Sequence, residues 1–102
     1  QTIIRSLAIE LKGTGITTNL INPGMIATSE VKDMLTRAAS KRNLSLDWEN
    51  LERWAASTYA PNLTGRIPSP NDIGDIVTFL ASEMASYING ASIAVDGGSV
   101  DA

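Results

Sequence analysis

The chain has 102 residues, room for one domain, and its 43% hydrophobic and 19% charged content excludes a disordered segment. A formal net charge of −3 supplies no basic field for nucleic acid or an anionic membrane, and Lys41-Arg42, the one basic pair, reads as a solvated loop. The lack of cysteine removes disulfides, thiolate nucleophiles and zinc-thiolate sites, and the lack of histidine removes Ser-His-Asp chemistry and imidazole ligands.

No apolar run approaches the roughly 20 residues of a membrane helix, and no secretory signal opens the chain, so a soluble cytoplasmic protein is expected. The acids leave an oxygen-only metal site as an alternative, but Glu49-x-x-Glu52 reads as an exposed helix face and no metal site is expected.

In chain order, Ile3, Ile4, Leu7, Ala8 and Leu11 form an apolar stripe at helical spacing, with Lys12 in the last turn and Gly13 able to close it. Gln1 has neither an initiator methionine nor a capping residue before it, as if the chain were cut through a helix and belonged to something longer. Gly13-x-Gly15-x-x-Thr18 looks superficially like a phosphate loop. It precedes a strand instead of joining strand to helix and lacks a third glycine, so it reads as a helix stop and turn. The β-branched run Ile16 to Ile21 is then predicted as a buried strand.

The stretch Asn22-Pro23-Gly24-Met25-Ile26-Ala27-Thr28 leaves that strand abruptly. Pro23 removes a donor and holds Asn22 extended, while Gly24 lets the backbone approach another molecule with no Cβ in the way. The carboxyl end of a strand in an open parallel sheet is where such folds bind ligands, and the Thr28 hydroxyl is placed to donate to a bound amide or phosphate. A loop that merely turns a corner is the plainer reading.

Ser29 can cap a short helix carrying Val31, Met34, Leu35 and Ala38, with a polar break at Ser40 to Asn43. Asp47 or Ser45 can cap a second helix with Trp48, Leu51, Ala55 and either Trp54 or Tyr59 along one side. The two tryptophans lie on different lines of that helix; both can be core, or one can face a ligand. An excursion of this length at the ligand end of a sheet points to a lid or substrate loop.

Pro61, Pro68 and Pro70 bracket the return, with Gly65-Arg66 between them. Arg66 reads as a structural contact to a loop carbonyl or carboxylate, with phosphate binding as the alternative. Ser69, Pro70 and Asp72 predict a helix start, and Ile73, Ile76, Val77, Leu80, Ala81 and Met84 keep its period. Gly74 within it suggests close packing on a sheet or a neighbouring subunit. Asn89-Gly90 then turns into a second strand, Ala91 to Val95, making a strand-helix-strand crossover. Two strands do not make a stable parallel sheet, so more sheet is expected beside them.

Taken together, Arg5-Ser6-Leu7-Ala8-Ile9-Glu10-Leu11, Asn22 to Thr28, Gly65-Arg66-x-Pro68, Ile73 to Ser82, and Ser86-Tyr87-Ile88-Asn89-Gly90 leading into Asp96-Gly97-Gly98 resemble the carboxyl-terminal part of the short-chain dehydrogenase/reductase family. The resemblance runs from about Gln1 to Gly98, and the 3-oxoacyl carrier-protein reductases are a similar group within the family. It implies an α/β fold, the carboxyl-terminal portion of a doubly wound, Rossmann-like parallel sheet, with two strands and about four helices. Residues 1–102 would be a partial dinucleotide-binding domain, and 29–64 its substrate-flap insertion.

The resemblance further implies that Pro23, Gly24, Ile26 and Thr28 bind the cofactor, NAD or NADP, with the Ile26 backbone and the Thr28 hydroxyl at the nicotinamide carboxamide. Met25, Trp48 and Trp54 would belong to the substrate flap, closing over a small carbonyl or alcohol as hydride moves. The family's catalytic Tyr-x-x-x-Lys pair has no match here, since Tyr59 is followed four residues on by Leu63 and Tyr87 by Ala91. No catalytic residue is therefore assigned, and the chain alone is expected to be inactive. A homo-oligomer through the last helix and strand is implied as well. The alternative is a binding or assembly module derived from the same fold, without catalysis.

Overall fold

The computed structural model describes residues 2–100. Helix α1 spans Thr2–Glu10, strand β1 Leu20–Pro23, α2 Ser29–Ser40, α3 Trp48–Trp54, α4 Pro70–Leu80 and strand β2 Ser92–Val95. The strands pair in parallel, Leu20 opposite Ser92 through Pro23 opposite Val95, so both carboxyl ends lie on one side. Four α-helices and a two-stranded parallel sheet are the expected α/β portion.

The first strand begins at Leu20 instead of Ile16, because side chains replace the ladder at its start. Asn89 Oδ1 accepts from the Thr18 N–H (3.0 Å) and Asn19 Oδ1 from the Ala91 N–H (3.0 Å), while the Thr18 carbonyl accepts from the Gly90 N–H (2.7 Å). The strand also reaches two residues past Ile21. Pro23 is tolerated as its last residue, and the next ladder bond is made by Gly24, whose N–H donates to the Val95 carbonyl at 3.1 Å.

Helix α2 starts one residue earlier than Ser29 implies. Thr28 is the extended cap residue, its hydroxyl accepting from the Val31 N–H at 3.2 Å, while the Ser29 hydroxyl donates to Glu30. Asn43 takes the left-handed conformation (φ 55°), letting Leu44 bond back to the Ala39 carbonyl. Asp47 caps α3. The single helix expected through Tyr59 does not hold its pitch: Ala55–Tyr59 widens into a π turn, closed by the Ala60 N–H on the Ala55 carbonyl at 2.7 Å.

The well-packed core lies in the excursion between the strands. Leu35, Ala55, Ala56 and Ile67 are buried together, and Met25, Ala27, Val31, Met34, Trp48 and Trp54 pack around them. By contrast α1 and α4 bury no residue, and their predicted apolar stripes stay open, with Ile3 80% and Val77 50% exposed. Met84 falls beyond α4 altogether, and a Cβ on Gly74 would meet nothing within 4 Å, so the close packing expected there is not made within the described residues. The radius of gyration, 17.2 Å against about 13 Å for a compact chain of this size, reflects those uncovered faces.

Candidate functional site

The loop 24–28 leaves the end of β1 between two supports. On one side Gly24 lies on the turn after β2, where a Cβ would come within 3.1 Å of both Asp96 Cα and Asp96 Cβ. The approach that Gly24 permits is therefore to this chain's own backbone, not only to another molecule. On the other side the Ala27 N–H donates to the Pro68 carbonyl at 2.7 Å.

Between these supports the loop turns back on itself, with the Thr28 N–H donating to the Ile26 carbonyl at 2.8 Å. The N–H groups of Met25 and Ile26 have no partner among the described residues. Thr28 Oγ1 accepts from the helix, which fixes its position and leaves its own hydrogen to donate. The arrangement thus offers amide donors at Met25 and Ile26 and an oriented hydroxyl at Thr28 for the oxygen of a planar carboxamide, while the second lone pairs of the Ile26 carbonyl and Thr28 Oγ1 can accept from its NH₂ group. Such a group fits here.

Pro23 itself is exposed at the strand end, and it shapes the loop more than it lines it. Met25 points the other way, into the core between the strands, where Trp48 and Trp54 join it. Both tryptophans are half-buried and pack around the same cluster. Lys32 Nζ sits 4.9 Å from the Trp48 ring centroid, Arg42 covers Trp54 at 5.5 Å, and Tyr59 tilts against Trp54 at 5.1 Å.

The return segment is held by charge-assisted bonds. Arg66 grips Asp72 through Nη1 (2.8 Å) and Nη2 (3.0 Å), the structural contact expected of it. Hydrogen bonds from Arg66, then from the Ser69 N–H, hold the Asp72 carboxyl well below the usual carboxylate range, and the same pairing raises Arg66. The Ser69 N–H bond to Asp72 Oδ2 (2.8 Å) forms one half of a capping box for α4. The Arg66 side chain is about half exposed, so the pair fixes geometry more than it stabilises the fold.

Three site-building contacts escaped the sequence reading, which took Glu52 for part of an exposed helix face and Asp96 only for a family landmark. Asn62 Oδ1 accepts from the Gly65 N–H at 2.7 Å and its Nδ2 donates to the Arg66 carbonyl at 3.0 Å, closing the turn before Arg66. Glu52 Oε2 accepts from the Ile67 N–H at 3.0 Å, tying α3 to the return. Asp96 supports Gly24. Only Asn62 carried a local signal, as a turn-forming residue near glycine.

Fold and loop define an α/β protein whose strand end leaves backbone amides free, and comparison with known proteins gives the class. The family model described as enoyl-(acyl carrier protein) reductase matches residues 1–100. The uncharacterized oxidoreductase YvaG of Bacillus subtilis is 37% identical over 98 residues, covering 96% of this chain and 37% of that protein. The 3-oxoacyl-[acyl-carrier-protein] reductase MabA of Mycobacterium tuberculosis is 38% identical over 94 residues, 92% of this chain and 32% of its own length. Among solved structures, L-sorbose reductase from Gluconobacter frateurii, complexed with NADPH and L-sorbose, superposes with a TM-score of 0.77 at 30% identity, over 99% of this chain and 37% of that one. This chain belongs to the short-chain dehydrogenase/reductase family, an oxidoreductase family. It spans about a third of the length of the curated relatives it matches.

Proposed function

We propose that these residues form the nicotinamide-side wall and substrate flap of an NAD(P)-dependent oxidoreductase acting on a small carbonyl or alcohol. The observation that carries this reading is the loop 24–28, with its amides left free at Met25 and Ile26 and its Thr28 hydroxyl fixed by the α2 cap. Ile26 and Thr28 hold the carboxamide, Pro23 and Gly24 set the loop's approach, and residues 29–64 cover the reacting centre with Met25, Trp48 and Trp54 in the flap. The bound cofactor supplies a hydride to the carbonyl carbon, or accepts one from the alcohol carbon.

The flap's contribution is exclusion of water, which its own buried core equips it to do as one piece. The proton that balances reduction at the substrate oxygen comes from groups outside these residues, since neither Tyr59 nor Tyr87 has a lysine four positions on. The 102 residues alone are accordingly inactive. A cytoplasmic homo-oligomer is part of the proposal. Its supports are the open faces of α4 and β2 and the lack, among the described residues, of a helix long and apolar enough to cross a membrane. The test is titration of the native protein carrying this chain with NADH and NADPH, together with turnover on a panel of small ketones. Binding of neither nucleotide sinks the proposal, and turnover by the isolated 102 residues sinks the assignment of the proton donor.

A further inference from the structure

The flap is fastened to the sheet at its exit by a short antiparallel pairing. The Leu63 N–H donates to the Gly98 carbonyl (2.9 Å), the Thr64 N–H and Oγ1 to the Gly97 carbonyl (2.9 and 3.0 Å), and the Val100 N–H to the Pro61 carbonyl (2.9 Å). Asp96, next to these glycines, is also the surface on which Gly24 rests. One turn at the end of β2 therefore touches both the loop 24–28 and the flap exit.

A side chain at the centre of the turn would be both strained and crowded. Gly97 (φ 64°) and Gly98 (φ 77°) are left-handed, and a Cβ would come within 3.0 Å of Thr64 Oγ1 at the first and of Leu63 at the second. Asp96 Oδ1 accepts from the Gly98 N–H at 3.0 Å and holds the turn in shape. Leu35, Ala55 and Ala56 fix the flap's interior, and Ile67 from the return and Met25 and Ala27 from the loop pack on the same core. The flap's placement therefore depends on the entry loop and on the exit at Leu63 and Thr64.

We propose that Asp96, Gly97 and Gly98 are positioning residues that set where the flap sits relative to the loop 24–28, acting through Leu63 and Thr64. This rests on the oxidoreductase reading for its functional consequence, though not for its geometry. The turn is the common ground of the cofactor loop and the substrate flap, so a disturbance there frees the flap exit from the strand end and loosens the flap, while the sheet ladder keeps its own bonds.

The experiment is amide hydrogen exchange on the native protein carrying this chain, with three variants. In Gly98→Ala, amides of 29–60 should exchange about tenfold faster, while Ile21, Asn22, Ile93 and Ala94 in the sheet stay within about threefold. Gly13→Ala is the control for backbone strain, because Gly13 has the same left-handed φ (78°) and nothing within 4 Å of a Cβ; it should leave the flap unchanged. Thr64→Val, which removes the hydroxyl bond to Gly97 and keeps the shape, should loosen the flap by a smaller factor.

Equal loss of protection in flap and sheet in Gly98→Ala, or a flap unchanged in Thr64→Val, overturns the proposal, and the Thr64→Val result decides alone where Gly98→Ala does not fold. Titration of the unsubstituted protein with NADPH and NADH tests the oxidoreductase reading separately. Failure to bind either refutes that reading and leaves the exchange result to stand or fall on its own.

Discussion

Gly24 lies so close to Asp96 that a methyl group at residue 24 would sit 3.1 Å from both Asp96 Cα and Asp96 Cβ. Gly24 has no left-handed backbone to explain it. The residue is glycine because two strand ends converge, not because the chain must turn. Replacement by alanine therefore tests packing alone. Gly24→Ala should cost about 1–3 kcal/mol in a urea titration of the native protein, the range for overpacking a site bounded by backbone. A loss under about 0.5 kcal/mol, within the usual scatter for a surface site, means the turn after β2 gives way and the contact is not a constraint.

Thr28 caps α2 and, under the proposed role, also donates to the cofactor. Thr28→Val removes the cap bond to the Val31 N–H, worth about 1 kcal/mol of stability, and with it the proposed donor. Under the proposed role NAD(P)H affinity should fall about tenfold, the equivalent of one hydrogen bond. Thr28→Ser keeps both functions and should bind nearly as the native residue does. Fluorescence titration of the two variants decides the matter: equal affinities exclude the hydroxyl from the nicotinamide site.

The Arg66–Asp72 pair should appear in the acid limb of stability. The folded Asp72 carboxyl titrates below its unfolded value of about 3.9, so its stabilising contribution is complete above that value and is lost as pH falls toward the folded one. Between about pH 4 and pH 2 the native protein should lose more stability than Asp72→Asn, while at pH 7 the variant is the less stable of the two. Thermal unfolding across that range is the measurement, and parallel curves would show that the pair contributes nothing pH-dependent.

Leu35 is fully buried at the centre of the flap core. Leu35→Ala should cost about 2–5 kcal/mol of flap stability through the cavity it leaves. The loss should be local: exchange protection within 29–60 collapses, while β1 and β2 keep theirs. Uniform loss across the chain would mean that flap and sheet unfold as one unit, against the picture of a flap with its own core.

The apolar periods of α1, α2 and α4 and the β-branched run into Asn22 were legible because they are local statements, decided by the repeat of the backbone. The helix start at Ser69 was legible for the same reason, a capping side chain being close in sequence to the N–H it meets, and that at Asp47 was one of two candidates with Ser45. The cap at Thr28 was off by one residue, since Thr28 and Ser29 are chemically equivalent candidates and only the entry angle of the chain chooses. The π turn at Ala55–Tyr59 left no mark in the pattern. It forms where the helix must deliver Ala55 and Ala56 into the core.

The sequence by itself determined the family and the strand-end loop, because glycine, proline and a hydroxyl in fixed order constrain the backbone wherever they occur. The tertiary structure decided what those residues rest on. That Gly24 leans on Asp96, that Asn19 and Asn89 stand in for a strand ladder, and that Leu63 and Thr64 pair with Gly98 and Gly97 are contacts between residues more than thirty positions apart. No local pattern encodes such pairs. They exist only once the parallel pairing of β1 and β2 has brought the two strand ends side by side.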